Sequence, residues 1–185
     1  CAVMTGVVLV YWGLPFWVGV LAALFFGALI GLINGVLIAK MKIPPFIATL
    51  GMMMLLKGLS LVISGTKPIY FSDVAEFSSI SQDSFIGYFL PDLPIPNAVL
   101  ILFLVALLGS FILNKTVLGT YTFALGSNEE AVRLSGVDVD RWKIIIYSFG
   151  GALCGIAGLM IASRLNSAQP ALGPGYEMEA IAATV

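Results

Sequence analysis

Apolar runs of helical length alternate with short polar breaks along the whole chain. Residues 1–10 read as the end of a first membrane span. The break Tyr11-Trp12-Gly13-Leu14-Pro15 follows, and its aromatic residues suit a membrane interface. Phe16–Ala39 is a full span, because about 20 apolar residues suffice for one crossing. Lys40-Met41-Lys42 is a very short turn. Residues 44–64 make the next span, with Pro44 and Pro45 near the helix start, where a missing N–H costs least. Residues 65–96 form the longest polar stretch and hold Asp73, Glu76, Asp83 and Asp92 against a single lysine, Lys67. Residues 98–113 are a further span, 114–141 a second long polar stretch, and 142–162 another span. From 163 to 176 the chain is polar and rich in Gly and Pro, and a new helix starts at Glu177. The pattern predicts an all-α, polytopic transmembrane helical bundle of about five spans plus the start of another, within a single membrane domain covering residues 1–185.

Composition agrees with this pattern. Apolar residues make up 59% of the chain and charged residues 10%, where a soluble domain carries roughly 25%. Mean hydropathy is +1.04, and no charge occurs between Cys1 and Ala39. The chain starts on Cys1 with apolar sequence and stops inside another apolar run, so it reads as truncated at both ends. No basic stretch precedes the first apolar residues, which argues against a signal peptide. A net charge of −1 gives no reason to expect nucleic acid as a partner. The two cysteines, Cys1 and Cys154, lie in apolar runs and read as small core residues. There is no histidine, which removes most catalytic dyads, most zinc sites and histidine proton relays.

Lysine and arginine set the expected orientation. Lys40, Lys42, Lys115, Arg133, Arg141 and Lys143 fall on one side of the alternating path, and Lys67 and Arg164 on the other. Six against two places the Lys40 and Arg133 side in the cytoplasm and the acidic 65–96 segment outside. Within the spans, Gly27, Gly31 and Gly35 lie four apart, as do Gly151 and Gly155, with Gly158 next. Such stripes let helix backbones approach closely; a part in a permeation path is the other reading. Gly27-Ala28-Leu29-Ile30-Gly31 matches Gly151-Ala152-Leu153-Cys154-Gly155 on spans of opposite direction. In so biased a composition, that match reads as coincidence more readily than as an inverted repeat.

Candidate chemistry is sparse. Neither a GxxxxGK[ST] phosphate loop nor a GxSxG elbow occurs, and without histidine a Ser-His protease is excluded. Lys57 is the clear charge within a span, seven residues before Ser64 or roughly 10 Å along a helix. It has two readings, a lysine snorkelling to the outer interface or one that meets a substrate or partner. Asn34 either bonds across helices or contacts a polar solute, and the Thr49 hydroxyl either does the same or bonds back to its own helix. The 114–141 stretch contains Leu125-Gly126-Ser127-Asn128-Glu129-Glu130-Ala131-Val132-Arg133-Leu134-Ser135-Gly136. Ser127 and Glu130 read as a capping box, Glu129 and Glu130 favour a helix start, and Gly136 suits the residue past a helix end. This predicts a short helix standing alone between two spans, either a solvated connector or a docking element for a cytoplasmic partner.

At these residues the chain resembles the permease subunits of bacterial ABC importers for ribose, xylose, arabinose and related sugars. The resemblance rests on Asn34-Gly35-Val36-Leu37-Ile38-Ala39-Lys40 with Ile43-Pro44-Pro45-Phe46-Ile47-Ala48-Thr49-Leu50-Gly51, and on Ala124 to Ala131 with Leu134-Ser135-Gly136-Val137. A third match is Ser167-Ala168-Gln169-Pro170 with Gly175-Tyr176-Glu177 and Ala180-Ile181-Ala182-Ala183. The matches run in family order along nearly the whole chain. The resemblance implies a multi-pass protein of the bacterial inner membrane that provides a path and no covalent chemistry. It implies a second permease copy, two cytoplasmic ATPase subunits that hold ATP and Mg, and a periplasmic or lipid-anchored sugar-binding protein. No cofactor or metal is expected on this chain. Gly126, Ser127, Asn128, Glu129, Glu130, Ala131, Arg133, Ser135 and Gly136 would form the ATPase-coupling segment. Asn34, Phe46, Thr49 and Gln169 would line the path. The outward 65–96 segment and the 163–176 region would meet the binding protein. Permeases for branched-chain amino acids, nucleosides or autoinducer-type solutes are alternatives within the class. An ion-coupled carrier, a membrane-embedded enzyme and a non-transporting scaffold are alternatives outside it.

Overall fold

The computed structural model describes residues 1–71, 77, 81, 96–173 and 175–184. The fold is all-α. Helix α1 (Ala2–Gly6) continues as a π-helical turn over Val7–Tyr11. Four helices are long and apolar enough to cross a membrane: α2 (Phe16–Ala39), α3 (Pro45–Ile63), α4 (Asn97–Lys115) and, later in the chain, Val139–Leu165. Between α4 and the last of these lie α5 (Val117–Ser127) and α6 (Glu129–Leu134). The Val139–Leu165 helix is therefore α7, and α8 (Tyr176–Thr184) ends the described chain. Acidic residues 73, 76, 83 and 92 of the expected outward segment lie outside the described residues.

Proline and positive-φ residues punctuate these helices where the sequence pattern breaks. Pro15 precedes α2 in an extended conformation, and Pro45 opens α3 at a position that has no N–H to satisfy. Lys42 adopts φ 53° in the tight turn between α2 and α3. Several boundaries differ from the sequence pattern. The last long helix begins at Val139, because Asp138 accepts a hydrogen bond from the Arg141 N–H at 3.2 Å and starts the helix in polar sequence. The stretch around α6 is also more helical than expected. Val117–Ser127 forms an 11-residue helix directly before α6, so α6 does not stand alone. Thr116 caps α5, with the Gly119 N–H donating to its hydroxyl.

The bundle is organised around the antiparallel pair α2 and α7. A Cβ on Gly27 would collide with the Gly151 carbonyl, one on Gly31 with the Tyr147 carbonyl, and one on Gly35 would reach 2.7 Å from Ile144 Cα. The reverse is also true: a Cβ on Gly151 would strike the Gly27 carbonyl and one on Gly155 the Ala23 carbonyl. The two Gly-Ala-Leu-x-Gly runs thus lie face to face, backbone against backbone. In lipid such contact gains dispersion and excludes no water, so it needs small residues on both sides. Ser148 adds a polar clasp, donating to the Ala28 carbonyl at 3.0 Å. Of the two readings of the glycine stripe, the structure shows tight packing.

The two ends of this pair differ. At one end, Ile69–Tyr70 pairs antiparallel with Ser167–Ala168 as a two-stranded sheet, β1 and β2. A cluster of Val3, Leu9, Ala23, Ile69, Phe71, Phe77, Leu159, Ala162 and Ala168 packs beneath it. Ser163 donates to the Phe77 carbonyl at 2.7 Å, and the Phe71 and Phe77 rings lie 4.2 Å apart. Asn166 takes the left-handed conformation that ends α7 and turns the chain into β2. At the other end lie the Lys40–Pro45 turn, α6 and the first turn of α7. The basic turn after α2 and the 114–141 stretch therefore share one end of the bundle, as the alternating path requires.

Candidate functional site

The α6 end is where charged side chains converge. The helix is too short to persist by propensity alone, so its ends and its ion pairs hold it. Asn128 is the N-cap: its side-chain oxygen accepts from the Ala131 N–H at 3.1 Å. This corrects the expected capping box on Ser127. Ser127 is instead the last residue of α5, and its hydroxyl donates back to the Ala124 carbonyl at 3.0 Å. Glu129 and Glu130 occupy the first turn and Arg133 the last, matching the helix dipole. Ser135 ends the helix and donates to the Ala131 carbonyl at 2.9 Å; Gly136 follows at φ 83°. That conformation is easy for glycine and strained for other residues.

The same segment is tied sideways to α7. Lys143 Nζ lies 2.6 Å from Glu129 Oε2, and Arg133 bridges Glu129 at 3.3 Å and Asp140 at 3.7 Å. Lys143 is the most shielded member, at 23% side-chain exposure. A cavity of about 420 Å³ beside the network is lined by Glu129, Arg133, Lys143, Lys42 and the prolines Pro44 and Pro45. Tyr121 of α5 and Trp142 of α7 stack 4.4 Å apart. Sequence reasoning placed Glu129 and Arg133 in the coupling segment and counted Lys143 only among the basic residues of that side; its partner is fourteen residues away in sequence. The only available signal was a lysine at the second position of the predicted 142–162 span.

The four path residues do not gather in one cavity. Phe46 and Thr49 sit in the first turns of α3, at the α6 end; Phe46 is exposed, and the Thr49 hydroxyl bonds back to the Pro45 and Phe46 carbonyls at 2.9 and 3.2 Å. Asn34 lies toward the same end of α2, and its side-chain oxygen is buried without a hydrogen-bond partner among the described residues. Gln169 is at the opposite end, beyond β2. It lines a cavity of about 290 Å³ together with Lys57 and Ser60 of α3. Lys57 thus borders a pocket, a placement its sequence position did not reveal.

Comparison with known proteins fixes the family. The model of the branched-chain amino acid transport system / permease component family matches residues 1–185. The chain belongs to this permease family. Among individual relatives, the permease is 44% identical over 172 residues to the ribose import permease protein of Escherichia coli K12, covering 91% of this chain and 51% of that protein. It is 41% identical over 185 residues to the L-arabinose transport system permease protein of the same organism, covering 100% of this chain and 54% of that one. It is 36% identical over 179 residues to the fructose import permease protein of Rhizobium meliloti, covering 94% and 48%. The chain spans about half the length of the curated relatives it matches. No solved structure matches it. The four membrane-length helices and the family together make the permease a multi-pass membrane protein.

The permease's Glu129 also predicts a pH dependence. Its hydrogen bond from Lys143, aided by the nearby charges of Lys143 and Arg133, holds its carboxyl below the ordinary value of 4.5 against a smaller opposing effect of burial. A depressed native pKa means the tie is complete above the unfolded value and is lost as pH falls through the lower native one. Acidification below the ordinary value of 4.5 and through the lower native one is therefore expected to loosen the α6–α7 contact, with no change between pH 7 and that ordinary value. Amide exchange of α6 in the solubilised permease should rise along this acid limb, and the Glu129→Gln variant should lack that rise. Identical acid limbs in both proteins would refute the assignment.

Proposed function

We propose that the full-length protein is the membrane-spanning subunit of an ATP-driven ABC importer of the bacterial inner membrane, and that it forms the path for a monosaccharide. The observation that carries this reading is the similarity to three relatives whose names specify ribose, arabinose and fructose import. The family description favours a second solute class, branched-chain amino acids. The partners would be a second permease copy, cytoplasmic ATPase subunits and a periplasmic or lipid-anchored sugar-binding protein, with lipid around the apolar faces of α3 and α4. ATP and Mg would reside on the ATPase, since this chain has no phosphate-loop motif, and the permease would supply a path rather than catalysis.

The α6 segment, from Gly126 to Gly136, would be the surface on which the ATPase docks. Three features support this. It is short, capped and ion-paired to α7; it shares its end of the bundle with Lys40 and Lys42; and the excess of Lys and Arg there fits the cytoplasmic side. Alternating access would then begin as the ATPases close and draw on α6. Asn34, Phe46, Thr49 and Gln169 remain the proposed path residues, with Asn34 the one whose unmet carbonyl oxygen invites a polar contact.

The test is ATP-dependent uptake by the reconstituted permease, ATPase and binding protein across a panel of sugars and branched-chain amino acids. Uptake of a sugar that requires ATP and the ATPase supports the reading. Uptake that persists without the ATPase, or that is confined to amino acids, overturns it. Docking has its own check: Glu130→Lys and Gly136→Trp should each weaken ATPase association by about tenfold or more, roughly 1.4 kcal/mol. Co-purification yields equal to the parent's would argue against docking at α6.

A further inference from the structure

We propose that Lys57, Gln169 and Tyr176 form a contact site for a neutral polyhydroxylated solute at the β1–β2 end of the path; this rests on the import reading above. Two adjoining cavities of about 290 and 210 Å³ share Cys1, Ala2, Gln169, Leu172 and Gly173 in their walls. The first also takes in Lys57 and Ser60, and the second Ser167 and Tyr176. Their size approaches the range of small-ligand pockets, roughly 300–1,000 Å³, and their walls are apolar with a few polar groups, as such pockets usually are.

The polar groups are those a sugar needs. Lys57 lies six residues before the end of α3 at Ile63, about 9 Å along the axis, so its charge sits within an apolar helix and borders a pocket. Charged groups at such depth commonly mark solute pathways. Ser60 donates to the Lys57 carbonyl at 2.8 Å and lies 3.3 Å from the Pro170 carbonyl, which fixes α3 against the segment carrying Gln169. The Gln169 amide donates one long bond, 3.4 Å, to Ser167 Oγ, and the residue is otherwise exposed. An amide that both donates and accepts matches hydroxyl groups, which do the same, and a lysine adds three donors for hydroxyl oxygens. Tyr176 supplies an aromatic face for the C–H side of a sugar ring. Glu177 and Glu179 place two carboxylates in the first turn of α8 beside Tyr176, and an anionic solute would meet their repulsion.

The experiment uses the full-length permease with its ATPase and binding protein in proteoliposomes. Initial ATP-dependent uptake is measured for D-ribose and D-arabinose, which differ in the configuration of one hydroxyl, and for the anion D-ribonate. A purely structural role would scale the rates of both sugars together, whereas solute contact changes their ratio. Lys57→Met and Gln169→Ala should each change the ribose-to-arabinose ratio by about tenfold, and Lys57→Arg should restore it. Gln169 is exposed, so Gln169→Ala keeps the test decisive if Lys57→Met fails to accumulate. An unchanged ratio in a variant that accumulates and transports overturns the site. Preference for ribonate that Lys57→Met abolishes overturns the neutral-solute assignment. If the parent protein takes up neither these two nor any other sugar of the panel under ATP, the import reading itself falls and this inference with it.

Discussion

Replacing Gly31 with leucine is expected to abolish accumulation of folded permease in the membrane. The glycine faces the Tyr147 carbonyl and lies so close that a Cβ would also come 2.9 Å from Ser148 Cα. Both obstacles are backbone atoms, so no side chain can turn aside. The helices would have to separate, and separation would also break the Ser148 to Ala28 hydrogen bond and the facing contacts at Gly27, Gly151 and Gly155. Overpacking commonly costs about 1–3 kcal/mol, and a backbone clash in a membrane helix pair belongs at the upper end or beyond. Gly150 is the internal control: it is adjacent to Gly151 on the same helix, and a Cβ there meets nothing within 4 Å. Gly150→Ala should therefore match or slightly exceed the parent, since alanine favours a helix over glycine by about 0.5–1 kcal/mol. The check is membrane yield and the aggregation temperature of the solubilised protein. A Gly31→Leu variant that accumulates and melts like the parent would show that α2 and α7 do not pack through these glycines.

Much of this arrangement is legible in the sequence. Span number, the tight turn at Lys40–Lys42 and the proline start of α3 follow from the spacing of apolar and helix-breaking residues, which is local information. Pairing is not local. Nothing in Gly27-Ala28-Leu29-Ile30-Gly31 says which helix it meets, because in lipid every apolar face has the same affinity for its surroundings. The resemblance of that run to Gly151–Gly155 looked accidental in so biased a composition, yet the two runs are the contact. The cap of α6 was misplaced by one residue for a related reason. Ser127 and Asn128 are both good caps, and the choice was made by α5, which extends through Ser127 and consumes its hydroxyl. Lys57 and Gln169, some 110 residues apart like the Ser60–Pro170 pair beside them, come together only because β1 pairs with β2.

Exchanging the charges of Glu129 and Lys143 is expected to separate stability from coupling. Glu129→Lys places two ammonium groups where a 2.6 Å ion pair stood and also repels Arg133. Partly exposed pairs contribute about 0–1 kcal/mol to stability, so the fold should survive. The mechanical consequence is larger. Glu129 joins α6, the proposed docking helix, to α7, and α7 is locked to α2 through glycine contacts that do not yield. A pull on α6 therefore moves a rigid two-helix body, provided the tie at Glu129 and Lys143 holds. Without it, α6 can follow the ATPase while α7 stays behind. Uptake by the reconstituted importer should fall about tenfold or more in Glu129→Lys, with ATP hydrolysis continuing, so that less solute moves per ATP. Lys143→Glu alone should do the same. The double variant restores opposite charges across the contact and should recover most of the uptake, whereas two independent defects would add. A double variant as impaired as the sum of the single changes would mean that the pair carries no coupling, and that Glu129 acts through the ATPase surface alone.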